Sequence, residues 1–339
     1  MKTSPHSASG CLLLTTFSVM LWASVVVSQT TNPPPMLNPP PVAAEPLPFV
    51  KLNVIVTDAA GHSGLEIKKE ELNITEDGVP QAISSFAKED WPVSYALLMD
   101  NSGSLRFLMG TIVSTGVALV SANRAGDETL LVRFVSNDKI ETVQDFTASR
   151  GLLNKGLSLL YAEGGDTALI DAVYLTAQRV ANQRPDDAKR RRAIVLVSDG
   201  EDRSSHYKQE ELIKFLRQVN VQVFAVAFVH ELDNRQGSPR SSQREKAIKL
   251  IDALTEETGG RAFYPKKPED LKSALNEIAR DLGTQYVVGY RPANPLPADK
   301  YRKVQIKVAD APNNKRHAVA RAGYYLEPPA VKEKPAQKK

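Results

Sequence analysis

Residues 95–104 read Tyr-Ala-Leu-Leu-Met-Asp-Asn-Ser-Gly-Ser, and this stretch decides the fold class. Tyr95–Met99 is apolar at every position, without a polar alternate. Such a strand is typical of a parallel sheet that helices cover on both faces. The apolar run ends at Asp100, and Gly103 permits a tight turn among the polar residues that follow. We therefore predict a central strand whose carboxyl end carries a polar loop.

The chain around this stretch alternates between strand-like and helical segments. This alternation predicts βαβ units and a mostly parallel sheet with helices on both faces. The expected fold class is α/β, a doubly wound, mostly parallel sheet with a smaller flanking all-β unit. The strand-like segments are Tyr95–Met99, Glu128–Val135, Ala193–Val197, Val221–Val229 and Arg261–Tyr264, and the helical ones are Phe107–Ala122, Leu152–Leu160, Ala168–Asn182, Gln209–Val219, Arg244–Glu257 and Pro268–Leu282.

Short oxygen-bearing side chains follow the apolar runs, where ligands of doubly wound sheets bind. Asp100, Ser102 and Ser104 alternate along one loop, Thr167 precedes a predicted helix, and Asp199 follows Ala193–Val197. Two carboxylates and three hydroxyls form an all-oxygen donor set, which suits a hard cation such as Mg²⁺. The two carboxylates would neutralise the ion, while the hydroxyls add no charge. The ion would thus keep a coordination position open for an external carboxylate.

The order of these residues resembles the metal-ion-dependent adhesion site of von Willebrand factor A domains. The resemblance covers Val93 to Leu282, and Thr258-Gly259-Gly260 is similar to the entry of the last strand in that family. The segments outside it resemble the flanks of bacterial von Willebrand A-related proteins described from acidobacteria. The resemblance implies a protein-binding module that captures an Asp or Glu of a partner protein through bound Mg²⁺, with Mn²⁺ or Ca²⁺ as alternatives.

The resemblance also implies a role for each candidate ligand. Ser102 and Ser104 would bind the metal directly, and Thr167 would bind it directly or from a displaced position. Asp100 and Asp199 would act directly or through water. Three further acids are candidates for the rim of the site or for contacts behind the ligands: Asp166, Glu201 and Asp202. Asp166 is expected to be a helix N-cap or a solvated acid, and these three acids would make the mouth of the site acidic.

The ends of the chain do not have the composition of a folded domain. Residues 1–28 combine Lys2 with the apolar stretch Cys11–Val27, which predicts a signal peptide and export, with a retained N-terminal anchor if cleavage fails. Residues 29–48 are a proline-rich linker, and residues 327–339 a disordered tail. Cys11 is the only cysteine, so the cleaved chain would contain none. These features predict a bacterial protein in the periplasm, on the cell surface or secreted.

Two β segments flank the predicted A domain, which spans residues 91–283. Residues 49–90 and 284–326 both have strand-like patterns. We expect the two segments to pair into one accessory β unit, because the ends of an inserted domain lie close together.

Motifs and charge argue against other function classes. The sequence has no Gly-x-Ser-x-Gly, His-Glu-x-x-His or Gly-x-x-x-x-Gly-Lys motif, so we do not expect an enzyme. The net charge of +4 is small, and the basic run 189–192 is interpreted as a solvated loop, so nucleic acid is not the expected partner. The predicted function is metal-dependent protein binding. The alternative is an envelope scaffold in which the metal only stabilises the fold.

Overall fold

The computed structural model describes residues 49–326 except 235–239, 294–296, 298 and 313. The predicted signal peptide, linker and tail lie outside the described residues. The described strands are β1 (Val50–Asp58), β2 (Leu72–Glu76), β3 (Val79–Gln81), β4 (Ile83–Glu89), β5 (Val93–Asp100), β6 (Glu128–Phe134), β7 (Ile140–Thr147), β8 (Arg191–Ser198), β9 (Gln222–Ala227), β10 (Ala262–Phe263), β11 (Gln285–Tyr290), β12 (Arg302–Val308), β13 (Arg316–Val319) and β14 (Gly323–Tyr324). The α-helices are α1 (Met109–Ser121), α2 (Arg150–Leu157), α3 (Leu169–Ala181), α4 (Gln209–Gln218), α5 (Arg240–Thr258) and α6 (Pro268–Gly283), and 3₁₀ turns span Lys69–Glu71, Gly103–Leu108 and Val229–Asn234.

The central sheet has six strands in the order β10-β9-β8-β5-β6-β7. All neighbouring pairs are parallel except β6 and β7. Every residue of β5 is buried, because helices cover both faces of the sheet. One face packs against α3, α4 and α5, and the other against α1, α2 and α6. The prediction of an α/β fold with a doubly wound, mostly parallel sheet is confirmed.

Strand β7 is an element that the sequence did not indicate. It pairs antiparallel with β6 at the edge of the sheet, with two register shifts. Its residues are partly or fully exposed, so polar and apolar side chains mix without a clear alternation. An edge strand lacks the continuous apolar run that identified the buried strands, and this explains why it was missed.

The flanking segments form two four-stranded sheets, ordered β13-β1-β11-β4 and β14-β12-β2-β3. Strand β1 pairs antiparallel with β11 and with β13, and β2 pairs with β12, so residues from both ends of the described chain share each sheet. The two sheets contribute to one apolar cluster, which includes Leu52, Ile74, Val288 and Tyr290. Within this cluster the buried carboxylate of Glu76 accepts hydrogen bonds from Tyr290 and Arg302.

The basic run 189–192 is not wholly a solvated loop, and that prediction is wrong for Arg191. Arg191 is 4% exposed, and its guanidinium donates to the carbonyl oxygens of Asp281, Leu282 and Gly283 at distances of 2.6–3.2 Å. These carbonyls belong to the last turn of α6, where backbone acceptors lack helical partners. The side chain therefore fastens the end of α6 to the start of β8.

One helical stretch of the described residues, Gly103–Ser121, is long and apolar enough to cross a membrane by length and composition. Its side chains at Ile112, Leu119 and Val120 are buried in the cluster beneath the central sheet. Core packing thus accounts for part of the apolar character of this stretch, of which 33% is buried.

Candidate metal centre

The candidate site begins where β5 and β8 end side by side. The two strands are parallel, and Met99 is paired with Val197, which places Asp100 next to Ser198. The Ser198 hydroxyl donates a hydrogen bond of 2.6 Å to Asp100 Oδ2. The register of two buried strands therefore fixes the position of the Asp100 carboxylate.

The loop after β5 turns its oxygen atoms toward one another. Asp100 Oδ1 accepts a 2.9 Å hydrogen bond from the backbone N–H of Ser102, and the hydroxyls of Ser102 and Ser104 are 2.8 Å apart. Ser102 is the N-cap of the 3₁₀ turn Gly103–Leu108. The structure thus brings together Asp100, Ser102 and Ser104, the three candidate ligands predicted in this loop.

The loop after β8 supplies the second carboxylate. Asp199 is fully buried, and its Oδ1 accepts a 3.1 Å hydrogen bond from the backbone N–H of Glu201. The next residue, Gly200, has φ of +80°, and a Cβ there would lie 3.0 Å from the Cβ of Ala247. Glycine at position 200 is therefore required both by backbone conformation and by the close approach of α5.

Thr167 joins a third loop to this arrangement. Its carbonyl oxygen accepts hydrogen bonds from the backbone N–H groups of Arg203 (2.7 Å) and Ser204 (3.1 Å), which links the loops before α3 and after β8. The three loops surround an open pocket of about 250 Å³. Its lining residues are Ser102, Ser104, Gly165, Thr167, Glu201 and Arg203.

Two buried carboxylates lie where β5 and β8 end. Asp100 and Asp199 are both 0% exposed. Burial and the neighbouring Asp199 carboxylate raise the pKa of Asp100 to about 7. Buried like charges are unfavourable unless a cation or a proton compensates them. Two carboxylates beside three hydroxyls are a donor set that fits a hard divalent cation.

The rim of the pocket contains one basic side chain among acids. Arg203 Nη2 lies 2.6 Å from Glu201 Oε1, and Arg203 Nη1 lies 3.9 Å from Asp166 Oδ1. The guanidinium therefore offsets part of the negative charge that Asp166 and Glu201 bring to the mouth. No sequence pattern indicated Arg203, because a single arginine in a loop has no characteristic spacing.

Family comparison identifies the part of the chain that carries this geometry. Residues 95–201 match the family model of the von Willebrand factor type A domain, a segment that contains Asp100, Thr167 and Asp199. The chain contains a von Willebrand factor type A domain. A comparison with curated proteins gives no match.

Solved structures with A domains are similar to this chain at low sequence identity. The aerotolerance-related membrane protein of Bacteroides fragilis is 18% identical, with a TM-score of 0.43 over 56% of this chain and 99% of that one. A von Willebrand factor type A protein from Catenulispora acidiphila is 12% identical, with a TM-score of 0.43 over 76% of each chain. The manganese-loaded TRAP protein of Plasmodium vivax is 14% identical, with a TM-score of 0.39 over 73% of this chain and 99% of that one. Similarities this weak carry no functional inference.

Asp202, a candidate for the rim or for a contact behind the ligands, lies at the start of α3. Its Oδ1 accepts hydrogen bonds from the backbone N–H of Ile170 (3.0 Å) and from the Ser205 hydroxyl (2.5 Å). It thus caps the start of α3 from a neighbouring loop, and burial raises its pKa. Asp166 is exposed and does not occupy the N-cap position of α3, which is Ala168.

Asp171 supports the same region from within α3. Its two carboxylate oxygens accept hydrogen bonds of 2.8 Å from the backbone N–H groups of His206 and Tyr207. The loop after Asp199 is therefore held at several points by α3. Among the described residues, no group of three or more His, Cys, Asp or Glu side chains could hold a metal ion.

Proposed function

We propose that this protein is an exported protein-binding module whose A domain uses a bound divalent cation to capture an acidic side chain of a partner protein. The observation that carries the proposal is the 2.8 Å approach of the Ser102 and Ser104 hydroxyls in the loop after Asp100, together with the burial of Asp100 and Asp199 at the ends of the paired strands β5 and β8. Mg²⁺ is the preferred ion, and Mn²⁺ and Ca²⁺ are alternatives.

In this proposal the hydroxyl residues supply neutral metal ligands, and the aspartates supply negative charge. Ser102, Ser104 and Thr167 would offer hydroxyl oxygens from the pocket wall, while Asp100 and Asp199 would supply negative charge directly or through water. The bound cation would act as an electrophile for the carboxylate of the partner. The neutral hydroxyls favour this role, because they add ligands without cancelling the positive charge of the ion.

The location and the absence of enzymatic activity belong to the same proposal. Export to the bacterial envelope or beyond rests on the signal pattern of residues 1–28. A binding role is favoured over catalysis because the pocket combines an oxygen donor set with a shallow, open mouth, and the sequence lacks the common hydrolase motifs.

A second candidate function is an envelope scaffold in which the metal only stabilises the fold. The burial of both Asp100 and Asp199 favours this alternative, because a cation would relieve their repulsion even without a partner.

Metal titration and partner capture separate these functions. Calorimetry should detect Mg²⁺ binding by the wild type and weaker binding by Ser102→Ala. Ser114→Ala serves as the control and should bind Mg²⁺ like the wild type, because Ser114 is on the exposed side of α1. Capture of envelope proteins should require Mg²⁺ and fail with Ser102→Ala. Capture unaffected by both chelation and Ser102→Ala would reject the adhesion model. Loss of thermal stability alone on chelation would favour the scaffold.

A further inference from the structure

Phe107 is the most exposed large apolar side chain in the described part of the protein. It is 97% exposed, whereas Leu105, two residues earlier in the same 3₁₀ turn, is 0% exposed. The turn is therefore packed against the domain, and the phenylalanine ring projects from an ordered element into solvent. Aromatic side chains that are exposed in this way are typical anchors of protein interfaces.

The geometry of the turn places Phe107 beside the loop that carries Ser102 and Ser104, here called the metal loop. Ser104 and Phe107 both belong to the 3₁₀ turn Gly103–Leu108. Side chains three residues apart in a 3₁₀ helix lie on the same side, with about 6 Å of rise between them. The Phe107 ring thus lies on the side of the turn that carries the Ser104 hydroxyl, which lines the pocket.

A second segment brings exposed apolar groups to the same loop. Asn101 Nδ2 donates a 2.7 Å hydrogen bond to the carbonyl of Tyr161, and Glu163 N–H donates a 2.8 Å bond to the carbonyl of Asn101. The Tyr161 ring is 55% exposed and lies against the Arg133 guanidinium, 5.1 Å from ring centroid to Cζ. Leu159 is also exposed. Apolar surface therefore lies on two segments that pair at the metal loop.

We infer that Phe107 forms the apolar half of a two-part docking surface whose other half is the metal pocket. The partner is a polypeptide segment in which an Asp or Glu stands beside a large apolar residue. This rests on the proposed function, because the pocket then accepts the acid through the cation. The acid gives the complex its metal dependence, and burial of an apolar side chain against Phe107 selects among acidic segments.

An array of short capped peptides with a central Glu tests this surface. The neighbours of the Glu vary from Gly and Ser to Leu and Phe, and binding of the full chain is measured in excess Mg²⁺. Peptides with an apolar neighbour should bind about 10-fold more tightly than those with Ser. Phe107→Ala should abolish that preference without changing Mg²⁺ affinity. Phe49→Ala, which removes a phenylalanine side chain from the flanking β unit, should leave the peptide preference and the Mg²⁺ affinity unchanged.

The outcomes separate the docking surface from the metal site. Absence of Mg²⁺ binding to the wild type would remove the proposed function itself. Normal Mg²⁺ binding with no bound peptides, with no preference for apolar neighbours, or with a preference that survives Phe107→Ala would overturn the docking surface alone. Mg²⁺-dependent self-association that Phe107→Ala abolishes would also overturn it, because the occupant would then be a second copy of the chain.

Discussion

The two buried aspartates show how single residues trade stability for binding in this protein. Asp100 and Asp199 occupy the ends of adjacent core strands, where neither carboxylate reaches water. A pair of core amides would avoid the repulsion but could not neutralise a cation. The residues that weaken the metal-free fold are thus those that the proposed function needs.

Asp100→Asn should stabilise the metal-free protein and remove its response to Mg²⁺. The amide oxygen keeps the acceptor for Ser102 N–H, and the amide N–H₂ group can donate to the Ser198 hydroxyl, which donated to the carboxylate in the wild type. Because the repulsion with Asp199 ends, the free energy of unfolding in chelator should rise by about 1 kcal/mol, which corresponds to a rise in melting temperature of about 2–4 °C. Thermal melts with and without Mg²⁺ measure both effects. Asp186→Asn, which removes an exposed acid, should behave like the wild type. A normal Mg²⁺-induced shift in Asp100→Asn would contradict this role.

At the scale of elements, side chains from one element complete the ends of another. Asp202 caps α3 from the loop after β8, and Arg191 on β8 binds the last carbonyls of α6. Glu128, the first residue of β6, accepts hydrogen bonds from Arg184 (3.0 Å) and Gln183 (3.0 Å), just beyond α3. Such contacts hold the ends of neighbouring helices and strands together.

The Glu128 contact makes stability depend on pH. The hydrogen bond from Arg184 lowers the pKa of Glu128 to about 2, below its value in the unfolded chain. The contribution is therefore complete above about pH 5 and is lost as pH falls toward 2. Because Arg184 is half exposed, we expect its contact with Glu128 to contribute about 1 kcal/mol to the free energy of unfolding.

Urea unfolding of Glu128→Gln and the wild type between pH 3 and pH 7 measures this contribution. The difference in free energy of unfolding should be largest at pH 7 and clearly smaller at pH 3. Glu141→Gln, on the exposed edge strand, serves as a control for loss of one surface carboxylate. A difference independent of pH would contradict the assignment.

At the scale of the whole molecule, the β unit and the A domain share a buried polar junction. The Glu277 carboxylate on α6 accepts hydrogen bonds from the Ser63 backbone N–H (2.7 Å) and hydroxyl (3.0 Å). Arg261 lies 2.8 Å from Asp281 and also donates to the carbonyl of Gly61. The described residues between 49 and 326 accordingly belong to one compact unit.

This junction should make unfolding cooperative. We expect calorimetry to show one transition for the wild type and, for Glu277→Ala, an earlier transition as the β unit separates. The substitution removes the acceptor of the buried Ser63 N–H and hydroxyl, at a cost of about 2–3 kcal/mol. Glu269→Ala, exposed on the same helix, should retain a single transition near the wild-type temperature. An unchanged melting profile for Glu277→Ala would show that the junction contributes little.

The sequence by itself determined the fold class, the family and the set of candidate ligands. Continuous apolar runs such as Tyr95–Met99 identify doubly covered strands, and a parallel sheet gathers the residues after each run at one edge. These properties are local, or follow from the order of elements along the chain. That the candidate residues bind a metal stays a prediction.

Tertiary structure alone decided which side chains are buried and which contacts form between segments distant in sequence. It set Asp202 at the start of α3, buried Arg191, and placed Arg203 at the pocket mouth. It also left Phe107 exposed, although helical spacing suggested only that it begins a helix. Whether a side chain is buried, paired or free depends on neighbours far away in sequence, and local patterns do not contain that information.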